Sequence, residues 1–142
     1  MMPHARVRTA GRFLLGGALA FAGTSHLTTA REEFQAQVPD WFPADSDLVV
    51  VTSGLVEIGL GAGLLLWRRR RIEVGWATGA FFVAIFPGNV AQFVEGTDAF
   101  GLDSDRARFV RLLFQPALVA WALWSTGAWR DLMERRQSAR SD

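Results

Sequence analysis

Residues 48–67, LVVVTSGLVEIGLGAGLLLW, hold one charged side chain in twenty positions, Glu57. Wound as an α-helix, twenty residues rise about 30 Å, the thickness of the hydrocarbon core of a bilayer. A core helix of a soluble domain is apolar along one stripe, whereas this segment is apolar on every face. The pattern recurs three times. Residues 11–30 (GRFLLGGALAFAGTSHLTTA) carry only Arg12, at the edge; residues 72–94 (IEVGWATGAFFVAIFPGNVAQFV) carry only Glu73, again at the edge; residues 109–129 (FVRLLFQPALVAWALWSTGAW) carry only Arg111. The four stretches take 84 of the 142 residues and leave too little chain for a separate soluble domain. The sequence therefore predicts an all-α membrane protein, an antiparallel bundle of four transmembrane helices forming one domain over 11–130. Tails of 1–10 and 131–142 flank it, and the polar last dozen residues are expected to be frayed. Mean hydropathy is only +0.16 because loops and tails are polar.

Arg6, Arg8 and Arg12 ahead of an apolar run also describe a secretory signal peptide. The run is long for one, contains His26, and ends in Thr28-Thr29-Ala30-Arg31, a weak peptidase site. An uncleaved first span is the expectation.

Composition narrows the chemistry. The chain has no Cys, which excludes disulfides, thiolate metal sites, Cys nucleophiles and a lipoprotein anchor. It has no Lys, which excludes Schiff-base chemistry and a Walker-type phosphate loop. Two His and one buried Glu make no metal motif, and His4 is a tail residue without an assigned role.

Orientation follows from the arginines. Arg6, Arg8 and Arg12 precede the first span, Arg68 to Arg71 join the second to the third, and Arg130, Arg135, Arg136 and Arg140 follow the fourth. The opposite side holds Arg31, Arg106 and Arg108, diluted by Glu32, Glu33, Asp40, Asp45, Asp47, Glu95, Asp98, Asp103 and Asp105. Both termini are thus expected in the cytoplasm, in a multi-pass protein of the bacterial plasma membrane. The Arg68–Arg71 run anchors a hairpin against anionic headgroups and is not read as a nucleic-acid site. On the outer side, residues 31–43 (REEFQAQVPDWFP) combine acidic and aromatic residues between prolines, which suits either an interfacial anchor or a lid over the bundle. Residues 95–107 are expected to be an exposed loop. Small residues four apart, Gly16 and Ala20, Gly59 and Gly63, Gly75 and Gly79, predict the faces along which helix backbones approach.

The remaining signal is the polar residues inside the spans. Counted from the outer ends at 1.5 Å per residue, Arg111 lies about 3–5 Å deep, His26 about 6 Å, Asn89 about 8 Å, Gln115 about 10 Å and Glu57 about 14 Å. All five fall in the outer half, from four different spans. Ser53 and Glu57 are i,i+4 and share a face; Arg108, Arg111 and Gln115 form one stripe; Asn89 and Gln92 are i,i+3. Pro87 and Pro116 adjoin these residues, and each removes a backbone donor and frees a carbonyl about one turn earlier. A kinked, polar, outer-half site built from His26, Ser53, Glu57, Asn89, Gln92, Arg111 and Gln115 is the expectation. An ionised Glu near mid-bilayer must be paired, hydrated or protonated, and Arg111 is the one cation well inside a span, so a Glu57–Arg111 pair is predicted. Such a network either locks the helices in register or lines a ligand site or proton path.

The chain also resembles the DoxX-like family of small four-helix bacterial membrane proteins. The resemblance lies in Ala22-Gly23-Thr24-Ser25-His26, Val38-Pro39-Asp40-Trp41-Phe42-Pro43, Ser53-Gly54-Leu55-Val56-Glu57, Phe86-Pro87-Gly88-Asn89-Val90 and Arg111-Leu112-Leu113-Phe114-Gln115. Gly88 stands where the family motif usually has Ala. The resemblance implies the four-helix fold and, through members linked to quinone-dependent redox complexes, a membrane subunit that binds quinone or another lipid-soluble ligand beside a redox-protein partner. It carries over no catalytic residue. Two other readings remain, a small transporter that would act as a homo-oligomer and a non-catalytic membrane scaffold.

Overall fold

The computed structural model describes residues 3–97 and 103–142. Residues 98–102, including Asp98 of the loop expected over 95–107, lie outside the described residues. The described chain is all-helical: α1 (Pro3–Leu27), α2 (Arg31–Gln35), α3 (Ser46–Leu66), α4 (Arg71–Glu95), α5 (Asp105–Thr126) and α6 (Ala128–Ser141), with a 3-10 turn at Arg68–Arg70. Helix ends have local causes. Asp45 caps α3 by accepting from the backbone N–H of Asp47 at 2.9 Å and of Leu48 at 3.2 Å, and Ser104 caps α5 by accepting from Ala107 N at 3.1 Å. Gly96 (φ 68°) and Gly127 (φ 83°) end α4 and α5 in the left-handed region, where glycine has no Cβ to clash.

Three helices, α3, α4 with the turn before it, and α5, are long and apolar enough to cross a membrane. α1 is not among them: its apolar run is bracketed by Arg12 and His26 and diluted by glycines. The distribution of side chains is inverted relative to a soluble domain. Leu14, Phe21, Leu55, Val83, Val94 and Leu113 are exposed, whereas Arg12, His26, Glu57, Asn89, Gln92 and Gln115 are buried. An apolar exterior of this extent is consistent with a membrane protein.

The helices associate in two close pairs. α1 runs against α3 in the opposite direction, with Gly16 facing Gly61 and Gly23 facing Gly54. A Cβ on Gly23 would stand 2.5 Å from the Gly54 carbonyl oxygen, and one on Gly61 would stand 2.7 Å from that of Gly16, so backbone touches backbone. The small-residue reading needs one correction here. Gly59 faces open space, and the contact stripe on α3 is Gly54 and Gly61, seven apart, because two turns bring a residue back to the same face. α4 runs against α5 in the opposite direction too, with Gly75 under Thr126 and Gly79 in ordinary contact with Val119 and Leu123. Leu15, Leu19, Leu64, Val74, Phe82 and Ala122 join the pairs in a common core.

The last dozen residues are helical, not frayed. α6 is held by ion pairs one turn apart, Arg130–Glu134 at 3.2 Å and Arg135–Asp131 at 2.8 Å, spacing that composition alone does not weigh.

Candidate ligand-binding site

His26 and Glu57 meet across the α1–α3 seam. Gly54 leaves the room: a Cβ there would stand 2.8 Å from His26 Cβ. His26 Nε2 lies 3.4 Å from Glu57 Oε2, and both residues are buried. The Phe34 ring rests against the imidazole from the segment above. Glu57 Oε2 and His26 Nδ1 are buried without a hydrogen-bond partner.

Arg111 and Gln115 stand on the other pair. Arg111 donates to Gln115 Oε1 at 2.9 Å, one turn along α5, and Asn89 Nδ2 approaches the same oxygen at 3.4 Å. Gln115 Nε2 donates to the Phe82 carbonyl at 2.7 Å. Pro87 takes its missing N–H from the Val83 carbonyl, one residue further on, so Gln115 braces α4 beside the proline without replacing that donor. Both prolines nonetheless sit inside continuous helices.

The expected Glu57–Arg111 ion pair does not form: Glu57 lies beside His26, and Arg111 donates to Gln115. α5 packs on α4, so the guanidinium finds a local acceptor on its own helix, while the glycine seam brings His26 to the carboxylate.

Between the two pairs lies a cavity of about 1130 Å³. His26, Ser53, Glu57, Asn89 and Arg111 line it, among mostly apolar neighbours such as Leu19, Val50, Phe82 and Ile85. Arg111 also lines a smaller hollow of about 410 Å³ with Ser104 and Phe114, so it forms a wall between the two. Of the seven residues expected at the site, Gln92 and Gln115 do not line the cavity. Gln115 braces α4, and Gln92 fastens the covering segment, accepting from Gln37 Nε2 at 3.0 Å and donating to the Thr97 carbonyl at 3.2 Å.

The covering segment is residues 31–44. Phe34, Val38, Pro39, Trp41 and Phe42 close one side of the cavity. Its start is held to α3 by Arg31 Nε donating to Asp47 Oδ1 at 2.6 Å and Gln35 Nε2 donating to the same oxygen at 2.7 Å. The carboxylate keeps the Arg31 pKa above its ordinary value. The sequence reading counted Arg31 and Asp47 only as loop charges. It also took Arg12 for an edge charge and Arg108 for part of a stripe. Arg12 is buried and donates to the Leu64 carbonyl; Arg108 is buried, donating to the Thr97 carbonyl at 3.1 Å and pairing with Asp105 at 2.9 Å. Their signal was position: each sits where the chain needs a donor for the carbonyls at the end of a neighbouring helix. Among the described residues, no three His, Cys, Asp or Glu side chains come together to hold a metal ion.

The arrangement can hold an amphipathic guest, with an apolar body in the cavity and a polar head between the His26–Glu57 and Arg111–Asn89 walls. A search of the curated proteins and of the solved structures returns no match. The family model described as "Domain of unknown function (DUF8561)" matches residues 15–126, a span that includes α3, α4 and all seven residues of the polar network. With most of its length so matched, the chain belongs to the DUF8561 family.

Proposed function

We propose that the chain is a four-span, multi-pass protein of the bacterial plasma membrane that binds a lipid-soluble ligand between its two helix pairs. In this reading α1 is the fourth span, the pairs form one antiparallel bundle, both termini are cytoplasmic, and the covered cavity opens toward the outer leaflet. α1 qualifies through its partner: it lies along α3, which is apolar throughout, and its exposed Leu14 and Phe21 face the same surroundings.

The observation that carries the ligand is the Glu57 carboxylate oxygen, buried in the wall of a large apolar cavity, with His26 Nε2 near it at 3.4 Å but no hydrogen bond made to it. A network whose purpose is to lock helices would satisfy its own polar atoms, because an unmet buried acceptor costs about 1–3 kcal/mol. A head group able to donate to Glu57 and accept from Arg111 completes it. The motif resemblance to DoxX-like proteins makes a quinone or quinol the first candidate and a redox protein the first partner to seek. The chain has no Cys and so no thiolate site for an electron carrier; electrons would come through such a partner or the ligand.

The test is extraction of the gently purified protein, with mass spectrometry of bound small molecules and captured partners. The reading expects near-stoichiometric lipid-soluble ligand, reduced several-fold in Glu57→Gln and Arg111→Gln. Substoichiometric ligand that neither substitution changes overturns the site.

A further inference from the structure

We propose that the arginine corner at the end of the molecule opposite the lid holds the phosphate of an anionic phospholipid. This corner lies outside the cavity, and its reading stands apart from the proposed function. Arg12 is buried at 4 % exposure, and its guanidinium donates to the Leu64 carbonyl in the last turn of α3. That carbonyl belongs to the partly negative end of α3, and the guanidinium also lies 4.8 Å from the centre of the Phe13 ring, so Arg12 is partly compensated with donors to spare. Arg68 follows Leu64 by four residues and Arg71 opens α4, so both stand at the same end of the bundle as Arg12. Among the described residues none of these three arginines forms an ion pair. The nearest carboxylate in sequence, Glu73, is engaged by Arg70 at 3.7 Å. α4 begins at this corner, and no side chain caps its N-terminus, so its free N–H groups add partial positive charge.

Three guanidinium groups and a helix N-terminus at one end of the bundle leave net positive charge for an anion to complete. Arg68 and Arg71 are exposed and can close on that anion from outside, and guanidinium groups match phosphate oxygens with paired hydrogen bonds. The surroundings say which anion. Leu66 is 82 % exposed and Trp67 57 % exposed, immediately before Arg68, and Trp76 is exposed one turn into α4. Aromatic and apolar surface beside a phosphate site suits a headgroup with its acyl chains running along the bundle.

The experiment is native mass spectrometry of the detergent-solubilised full chain, titrated in separate arms with phosphatidylglycerol, phosphatidylcholine and inorganic phosphate. The proposal expects one phosphatidylglycerol retained in preference to phosphatidylcholine. Arg68→Gln with Arg71→Gln should weaken that binding about tenfold or more, at about 1 kcal/mol for each arginine near a headgroup. Arg136→Gln with Arg140→Gln on α6 removes the same charge and should leave binding within about twofold. Equal loss in both double variants would mean diffuse attraction and overturn the site. Displacement of the lipid by millimolar inorganic phosphate, or equal retention of phosphatidylcholine, would overturn the anionic-lipid assignment. Arg12→Gln strips a donor from Leu64 and endangers folding, so Arg12→Lys is the variant to compare, with weaker retention of phosphatidylglycerol expected.

Discussion

Replacing Gly23 by Ala places a methyl where the backbone of α3 already stands. The new Cβ would lie 2.5 Å from the Gly54 carbonyl oxygen and 2.9 Å from Ile58 N, against an ordinary contact of 3.4 Å or more. The helices must part by about 1 Å, since both obstacles are backbone and cannot rotate away. Overpacking of this kind costs about 1–3 kcal/mol, and 2 kcal/mol lowers Tm by roughly 4–8 °C in a chain of this size. The same displacement loosens the contacts of Leu15 and Leu19 with Leu64 and pulls His26 from Glu57. Gly59→Ala is the matched control on α3, the other helix of the seam: nothing lies within 4 Å of its Cβ, and alanine favours helix by up to about 1 kcal/mol. Melting of the detergent-solubilised protein, followed by the fluorescence of its six Trp, measures both. If Gly59→Ala falls as far as Gly23→Ala, the glycine seam has been assigned to the wrong face of α3.

A double-mutant cycle between Glu57→Gln and His26→Asn should show a coupling of about 0.5–3 kcal/mol, and the cycle between Glu57→Gln and Arg111→Gln a smaller one. The reverse order would restore the pairing read from sequence. Gln92→Leu strands the Gln37 amide, while Arg108 still donates to the Thr97 carbonyl, and should cost about 1–3 kcal/mol in the same melt. Gln37→Ala should speed chymotryptic cleavage after Phe34 and Trp41; unchanged cleavage would show that the tether does not hold the lid. Cysteine labelling from either side of the membrane should place Asp40→Cys and Asp103→Cys together outside, with Arg69→Cys and Ser138→Cys inside. Asp40→Cys labelled only from the cytoplasm would invert the proposed map.

What the sequence disclosed was set by what it encodes locally. α3 and α4 lie within one or two residues of the spans read from charge gaps, because apolar length and the caps at Asp45 and Gly96 are written in contiguous residues. α5 begins four residues before its span, at Asp105, since the Ser104 cap and the Arg108 side chain let a charged turn join the helix. The residue types of the polar network were legible for a similar reason, as exceptions to an apolar rule. Who pairs with whom was not. Whether Glu57 meets His26 or Arg111 depends on which helices share a seam, and Gly54 and Gly61 become visible as that seam only when α1 lies against them. Gly59, with the same residue type and a spacing just as suggestive, points away.

The bond from Gln115 to the Phe82 carbonyl also bears on how the chain is made. Gln115, which reaches that carbonyl across the seam between α4 and α5, lies 33 residues further along. At about 5–20 residues per second, a ribosome takes roughly 2–7 s to supply it. During that interval α4, alone in hydrocarbon, would carry the Asn89 amide without its Gln115 partner, out of reach of water. Release of α4 from the insertion machinery is therefore best delayed until α5 has emerged, so that the second hairpin enters the lipid as a unit while the first, sealed by its glycines, enters independently.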